Sequence, residues 1–526
     1  MNGIGATRRR FLLSSPIMVG CGRRLSAAQA PQVDVRVMTE QGSVIGALDR
    51  EAVAWKGIPF AKPPVGDLGG RVPQDPAVRS SPYEATTYRS KAVQLGIGPG
   101  TDSSQVQGSE DCLYLNVWAP RIKQRGRLPV IVWIHGGGFQ GGSGSEPAYA
   151  GDRYASDGNI VFVTINYRLN GFGFLYNPNE PGSANIGLLD QMKALRWVRR
   201  NIENFGGDAA NVTVMSESAG AMSIGHLLGT PMAAGLFDKA ILQSGGTSHV
   251  FSNGEHVQIA EMVLRAAGVA KNDYGALFRL NTAELVDAFA KVADQNRGTA
   301  LVAQSPFYTA VDGVVLKQHP LYNIRPVTSM IAHCKVEMMT FARSGAAEPM
   351  PLGAKQQALC GAERWRLIQH AYDGPSRTGA NSRIELYSDI FCGIASLRLA
   401  DAITASGGKT WSYRFDYDAA APFGAGHATD IAFTFYRGPG EAERNGMGRR
   451  VPWTAEARAV GETIWGMTVN FARSGKPHYA SLPNWPQHDR RSIPFMSIKA
   501  KNELLHDFIG AARRVSWDPV KPEQMI

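Results

Sequence analysis

The stretch from Val212 to Leu228 constrains the fold more than any other. A β-branched run, Val212, Thr213 and Val214, leads through Met215 into Ser216, Glu217, Ser218, Ala219 and Gly220, and Ala221 to Leu228 reads as a helix stopped by Gly229 and Pro231. Strand, small-residue turn with a central serine, then helix is the layout of a nucleophile elbow. The sharp turn lifts a hydroxyl clear of a sheet and sets it over the positive end of a helix. Strand and helix backbones approach closely there, so the residues two places either side of the serine must be small. Gly220 meets that demand fully. Ser216 stands where glycine is usual, and a tighter but workable turn is expected. Ser218 is the candidate nucleophile. A Ser-rich turn after a strand is common by chance, so the assignment leans on what lies upstream.

Upstream, Val130, Ile131, Val132, Trp133 and Ile134 form an uninterrupted apolar run after Pro129, the signature of a strand buried on both faces of a parallel sheet. It enters His135, Gly136, Gly137, Gly138, Phe139, Gln140, Gly141 and Gly142 directly. Consecutive glycines at the end of a buried strand leave backbone N–H groups free to converge on a developing oxyanion. A flexible linker would not carry His135 and Phe139 among the glycines, and no Lys-Ser/Thr pair follows to suit a phosphate loop. Ile160 to Asn166 reads as a further buried strand. Leu188, Leu189, Met192, Leu195, Val198, Ile202 and Phe205 recur at helical spacing up to Gly206 and Gly207. This order predicts a mostly parallel sheet flanked by helices. Val33, Val35 and Val37, with Val44 and Ile45 beyond Gly42, predict a small N-terminal antiparallel β unit, and Glu110 to Trp118 predicts a strand bounded by Pro120.

The chain opens with Arg8, Arg9, Arg10, Phe11 and Leu12, a short apolar core to Gly20, and Ser26 to Ala30 as small residues. That is the form of a signal peptide, and the core is too short to span a membrane. Residues 1–28 are expected to be a twin-arginine export signal, giving a periplasmic or secreted protein. An ordinary secretory signal and a lipid anchor at Cys21 are the alternatives.

With 526 residues, 44% hydrophobic and 19% charged, the chain has ample material for a core. Its net charge of +10 does not signal nucleic acid, because part of it sits in the leader and no basic run is interleaved with aromatics. Removal of Cys21 would leave Cys112, Cys334, Cys360 and Cys392, whose spacings match no metal pattern and fix no disulfide. His333 and Glu337, four apart, could share a helix face as ligands, but no third ligand accompanies them.

In order along the chain stand GIPFAKPPVG (Gly57 to Gly66), SEDCLYLNVW (Ser109 to Trp118), HGGGF (His135 to Phe139), NYRL (Asn166 to Leu169), FGGD (Phe205 to Asp208), SESAG (Ser216 to Gly220) and QSG (Gln243 to Gly245). Together with FARSGKP (Phe471 to Pro477) and NWP (Asn484 to Pro486), they make the chain resemble the type-B carboxylesterases. The resemblance covers nearly the whole mature chain. It implies an α/β-hydrolase fold over residues 29–526 as a single domain, with cap and gorge-wall insertions near 248–300 and 346–383. It further implies hydrolysis of small carboxylic esters through an acyl-enzyme, with no metal or organic cofactor and no stable membrane partner.

By the same resemblance the segment ending in Val336 and Glu337 carries the triad acid, Glu337, although aspartate is usual at Val336. Gly424, Ala425, Gly426, His427, Ala428, Thr429 and Asp430 resemble the histidine loop, so His427 is the base. The N–H groups of Gly137, Gly138 and Ala219 would hold the oxyanion, with Glu217 and Phe139 at the substrate pocket. Where the family commonly has an arginine that pairs with Glu110, this chain has Gly69 and Gly70, and Arg71 is the expected substitute. Val93 stands at the usual cysteine partner of Cys112, so Cys112 is expected to be a free buried thiol. A lipase, a carbamate or amide hydrolase, and an inert binding protein of the same fold are the competing readings; neither oligomeric state nor substrate preference is legible.

Overall fold

The computed structural model describes residues 35–95, 105–122, 124–296, 305–343, 352–373, 380–418, 424–437 and 451–525. The expected leader and Cys21 lie outside them. Eleven strands form the main sheet, in the spatial order Glu503–His506, Pro494–Ile498, Lys409–Phe415, Thr328–Cys334, Lys239–Gln243, Gly207–Glu217, Leu128–Ile134, Val161–Ile165, Tyr114–Pro120, Ala52–Pro59 and Ala47–Asp49. The seven strands from Pro494–Ile498 to Val161–Ile165 run parallel, and antiparallel pairs close both edges. This is the mostly parallel sheet expected of the α/β-hydrolase fold.

The parallel strands are apolar because helices cover both faces, leaving no solvent side for polar alternation. Val130 to Ile134, Val161 to Val163, Val212 and Val214 have no exposed surface. Ile186–Asn201 buries Leu188, Met192, Leu195 and Val198 and ends in a 3-10 turn, Ile202–Phe205, capped by Gly206 at φ 87°. Ala455–Ser474 starts on Thr454, whose hydroxyl accepts from the Ala457 N–H, and stops at Gly475 at φ 72°. Its buried Val460, Ile464, Met467 and Phe471 join a core containing Trp133, Tyr154, Phe162 and Phe435. Each such side chain contributes about 1.5–3 kcal/mol by leaving water, so the sheet is held from both sides.

Several local expectations are corrected. The N-terminal hairpin, Arg36–Thr39 with Gly42–Ile45, is antiparallel, but Tyr83–Glu84 joins its second strand in parallel. The strand predicted from Glu110 begins only at Tyr114, because Asp111 N–H bonds the Ser109 hydroxyl and Tyr114 N–H bonds the Cys112 carbonyl in a turn. Arg71 does not replace the missing partner of Glu110: its guanidinium pairs with Glu180 at 2.8 Å, and Glu110 accepts from the Thr282 hydroxyl at 2.6 Å. His333 and Glu337 share no helix, since Thr328–Cys334 is a strand and the His333 ring packs on Phe508. Cys112 is free and buried, as are Cys334 and Cys392, and Cys360 is free and partly buried. Among the described residues, no helix is long and apolar enough to cross a membrane.

The two segments expected as insertions hold helices and, in the first, the short strand Val250–Ser252. Asn253–Ala266 and Thr282–Asn296 pack together, with Leu264, Leu285 and Phe289 buried. Leu352–Cys360, Ala362–Tyr372 and Ala380–Ser388 follow the strand that leads to Glu337.

Candidate active site

Four segments meet at the carboxyl ends of neighbouring parallel strands, where ligands sit in open α/β sheets. The elbow strand Gly207–Glu217 delivers Ser218, its neighbour Leu128–Ile134 delivers the glycine loop, and Thr328–Cys334 and Lys409–Phe415 lead to Glu337 and His427.

Ser218 sits at φ 57° and ψ −128°, a strained backbone for a residue with a Cβ, and its N–H is tied to the Gln243 carbonyl at 2.9 Å. Ala219–Leu228 starts immediately after it. A Cβ on Gly220 would collide with Ser216 Oγ and the Ile134 carbonyl oxygen and lie 2.8 Å from the His135 carbonyl. Only glycine fits there. Ser216, fully buried, fits because its hydroxyl donates to the Ile134 carbonyl, joining the elbow strand to the root of the glycine loop.

In that loop Gly137 and Gly138 have φ of 104° and 63°, and a Cβ on Gly137 would meet the Gly141 carbonyl. The Gly137 carbonyl accepts from both Gln140 and Gly141 N–H, closing a tight turn. Among the described residues, no hydrogen bond occupies the N–H of Gly137, Gly138 or Ala219, so these donors remain available. Side chains brace the loop from outside. Gln94 exchanges two bonds with Gly142, Asn166 accepts from Gly144 N–H at 2.8 Å, and Asn170 donates to the Gln140 carbonyl. The His135 ring stacks on Tyr167 at 4.5 Å, and burial holds its pKa down to about 4. Phe139, expected at the pocket, has no exposed surface; its ring packs on Phe174 and Tyr308 and anchors the loop.

The expected base and acid, His427 and Glu337, are held by a polar network. His427 Nε2 lies 2.9 Å from Ser218 Oγ, and its Nδ1 lies 2.6 Å from Glu337 Oε2. These partners assign the tautomer: Nδ1–H donates to the carboxylate and Nε2 accepts from the serine hydroxyl. Glu337 Oε1 accepts from Cys334 N–H at 2.6 Å, and the His427 N–H bonds the Glu337 carbonyl at 3.0 Å. Burial acts to raise the Glu337 pKa, but the His427 bond and charge, the Cys334 N–H and the Ser244 hydroxyl outweigh it and keep the acid below its ordinary value.

Glu217, expected at the pocket, is buried beside the base, with Oε1 3.1 Å from His427 Nε2. Its pKa is pushed up to about 8, chiefly by burial against the opposing pull of His427. His427 is raised to about 9: burial opposes the charged ring, and Glu217 and Glu337 more than offset it. Asp430, also buried, is raised to about 7 by burial and the charge of Glu337, and accepts from Gln243 Nε2 at 2.9 Å. Glu217, Glu337, Asp430 and His427 therefore titrate as one coupled group.

Sequence reading did not assign roles to Gln94, Gln243, Asp430 or Cys392. Gln243 opens the QSG motif, and Asp430 closes the loop that carries His427. Gln94 and Cys392 carry no local signal. Cys392 Sγ, a Glu337 carboxylate oxygen and a His427 ring nitrogen lie within 4.8 Å of one another.

The arrangement can activate a hydroxyl and receive an oxyanion. Comparison with known proteins agrees with that chemistry. A profile of the Carboxylesterase family matches residues 33–517. The chain belongs to the carboxylesterase family. It is 35% identical to the para-nitrobenzyl esterase of Bacillus subtilis (strain 168), over 90% of this chain and 96% of that one. It is 30% identical to the liver carboxylesterase of Sus scrofa, over 88% of each. Among solved structures, a thermophilic PNB esterase superposes with a TM-score of 0.81 at 30% identity, over 92% of this chain and all of that one. A Geobacillus stearothermophilus carboxylesterase does so with 0.78 at 32%, over the same shares. As a member of the family the protein is a serine carboxylic ester hydrolase.

Proposed function

We propose that this carboxylesterase works through Ser218, His427 and Glu337, with Gly137, Gly138 and Ala219 as the oxyanion hole. The observation that carries the reading is the continuous path from Ser218 Oγ to His427 Nε2 (2.9 Å) and from Nδ1 to Glu337 (2.6 Å), all buried. As Ser218 Oγ bonds the acyl carbon, its proton passes to His427 Nε2. The carbonyl oxygen becomes an oxyanion facing the three free N–H groups, each worth about 3 kcal/mol in the barrier. Collapse breaks the bond to the alcohol, which leaves with the proton from Nε2. Water then gives its proton to Nε2 as its oxygen bonds the acyl carbon. Collapse of the second tetrahedral intermediate breaks the bond to Ser218 Oγ, which takes that proton back from Nε2 as the acid leaves. Glu337 stays ionised, fixes the tautomer and stabilises the imidazolium.

The substrate is a small-molecule ester. A relative named for para-nitrobenzyl esters makes such esters a starting point. We further read residues 1–28 as a twin-arginine leader and residues 29–526 as one domain whose inserted helices cap the site. The leader reading places the enzyme in the periplasm or outside the cell. Residue pattern alone supports it.

The test is hydrolysis of p-nitrophenyl esters from acetate upward, by the mature protein and by Ser218→Ala. Loss of at least about 10⁴-fold in kcat, with loss of fluorophosphonate labelling and an unchanged melting temperature, is expected. A Ser218→Ala enzyme that keeps its turnover would remove Ser218 from the mechanism.

A further inference from the structure

The helical segment after the cap insertion contains a π-helical turn, Asp389–Gly393, between Ala380–Ser388 and Ile394–Ala405. One-turn π bulges sit often at functional sites, because the extra residue redirects side chains that a regular helix would aim elsewhere. Here the turn directs two consecutive residues at the base and acid. The Phe391 ring meets the His427 ring edge-on, with centroids 5.2 Å apart. Cys392 has no exposed surface, and its Sγ lies within 4.8 Å of both a Glu337 carboxylate oxygen and a His427 ring nitrogen. The turn itself is pinned. Asp389 accepts from the Tyr372 hydroxyl at 2.8 Å, and a Cβ on Gly393 would come within 2.6 Å of the Asp389 carboxylate.

The Glu337 carboxylate has room for another donor. A carboxylate offers about four lone-pair sites; His427 Nδ1–H, Cys334 N–H and the Ser244 hydroxyl account for three. A buried ionised carboxylate gains from each donor it finds. Burial and the neighbouring Glu337 charge keep the Cys392 thiol protonated, and a protonated thiol is a weak donor. The alternative use of these atoms, as ligands for a metal ion, would require the 2.6 Å bond between His427 and Glu337 to open and the thiol to lose its proton.

We propose that Cys392 is a positioning residue: its S–H donates to the Glu337 carboxylate and holds that carboxylate in line with His427 Nδ1. This rests on Glu337 being the triad acid. The bland competitor is a small apolar filler. The two differ in what a donor-free residue of similar size does. Removing a donor from Glu337 makes the carboxylate more basic and less restrained, which raises the His427 pKa and lowers the fraction of productive geometry.

The experiment compares Cys392→Ser, Cys392→Val and Cys392→Ala in the mature enzyme on one p-nitrophenyl ester, with kcat, KM, the pH profile and the melting temperature measured for each. Serine keeps a donor and is expected to stay within about twofold of the parent kcat. Valine and alanine are expected to lose about fivefold in kcat, the scale of one modest hydrogen bond, with KM within about twofold and the acid limb of the profile moved to higher pH. Alanine guards against overpacking by valine. Parent-like kcat and pH profile in both donor-free variants, or a serine variant as impaired as valine, would overturn the proposal. Glu337→Gln separates the two layers. If it is inactive while all Cys392 variants match the parent, the positioning role alone fails; if it keeps full turnover, the triad assignment fails beneath it.

Discussion

The serine side and the histidine side of the site are built by different physics. Around Ser218 the geometry is backbone: glycines at positive φ, a helix start, and carbonyls packed so closely that a methyl group at Gly220 has nowhere to go. Around His427 the geometry is side chain: three buried carboxylates crowd one imidazole and shift one another's protonation. The first kind of construction either fits or breaks. The second can be tuned, because each charge alters affinity for a proton without moving the chain.

Substitutions on the two sides should therefore fail differently. Glu337→Gln is expected to have the largest effect, a fall in kcat of about 10⁴-fold with little change in melting temperature, read by steady-state kinetics beside calorimetry. A comparable loss of stability would mean that the histidine side is structural as well. Gly220→Ala should show the reverse, destabilising the fold by about 3 kcal/mol or more; a chemical denaturation curve that overlays the parent would break the contrast from the serine side. Glu217→Gln sharpens it. The Glu217 charge raises the His427 pKa, and in the proposed mechanism the neutral imidazole is the base, so activity is expected to rise as pH climbs through that pKa. Without the charge the acid limb of kcat/KM should move to lower pH by about one unit, whereas an upward move would reverse the assigned sign. The smallest effect belongs to Ser216→Gly. It loses one hydrogen bond to Ile134 while restoring the usual small residue, and thermal melting should change by less than about 1.5 kcal/mol.

The same division explains what the amino-acid sequence disclosed. Ser218, Gly220 and the loop from His135 to Gly142 were legible because steric exclusion writes itself locally: a residue that must be glycine is glycine, whatever lies far away in the chain. His427 and Glu337 were placed by likeness to a family, His427 through the small residues of its loop. The mostly parallel sheet followed from apolar runs and helical spacing for the same local reason, while the spatial order of its strands did not. What remained hidden depends on partners remote in sequence. Gln94 braces the glycine loop across 48 residues, and Gln243 reaches Tyr413 across 170. Arg71 was assigned to Glu110 by proximity along the chain, yet Glu180 takes it because the folded loop brings that carboxylate nearer. A polar residue announces that it needs a partner, and it does not announce which one.

The contact between Ser218 and His427 spans 209 residues, and the strand leading to His427 is flanked by Pro494–Ile498, close to the end of the chain. During synthesis, which runs from the N-terminus, the elbow and the glycine loop leave the ribosome long before the base exists. On the proposed triad, a chain cut short before His427 carries Ser218 without its base. Hydrolytic activity then waits for the segment that carries His427 to reach Ser218, so its onset would report that these two remote parts of the chain have met.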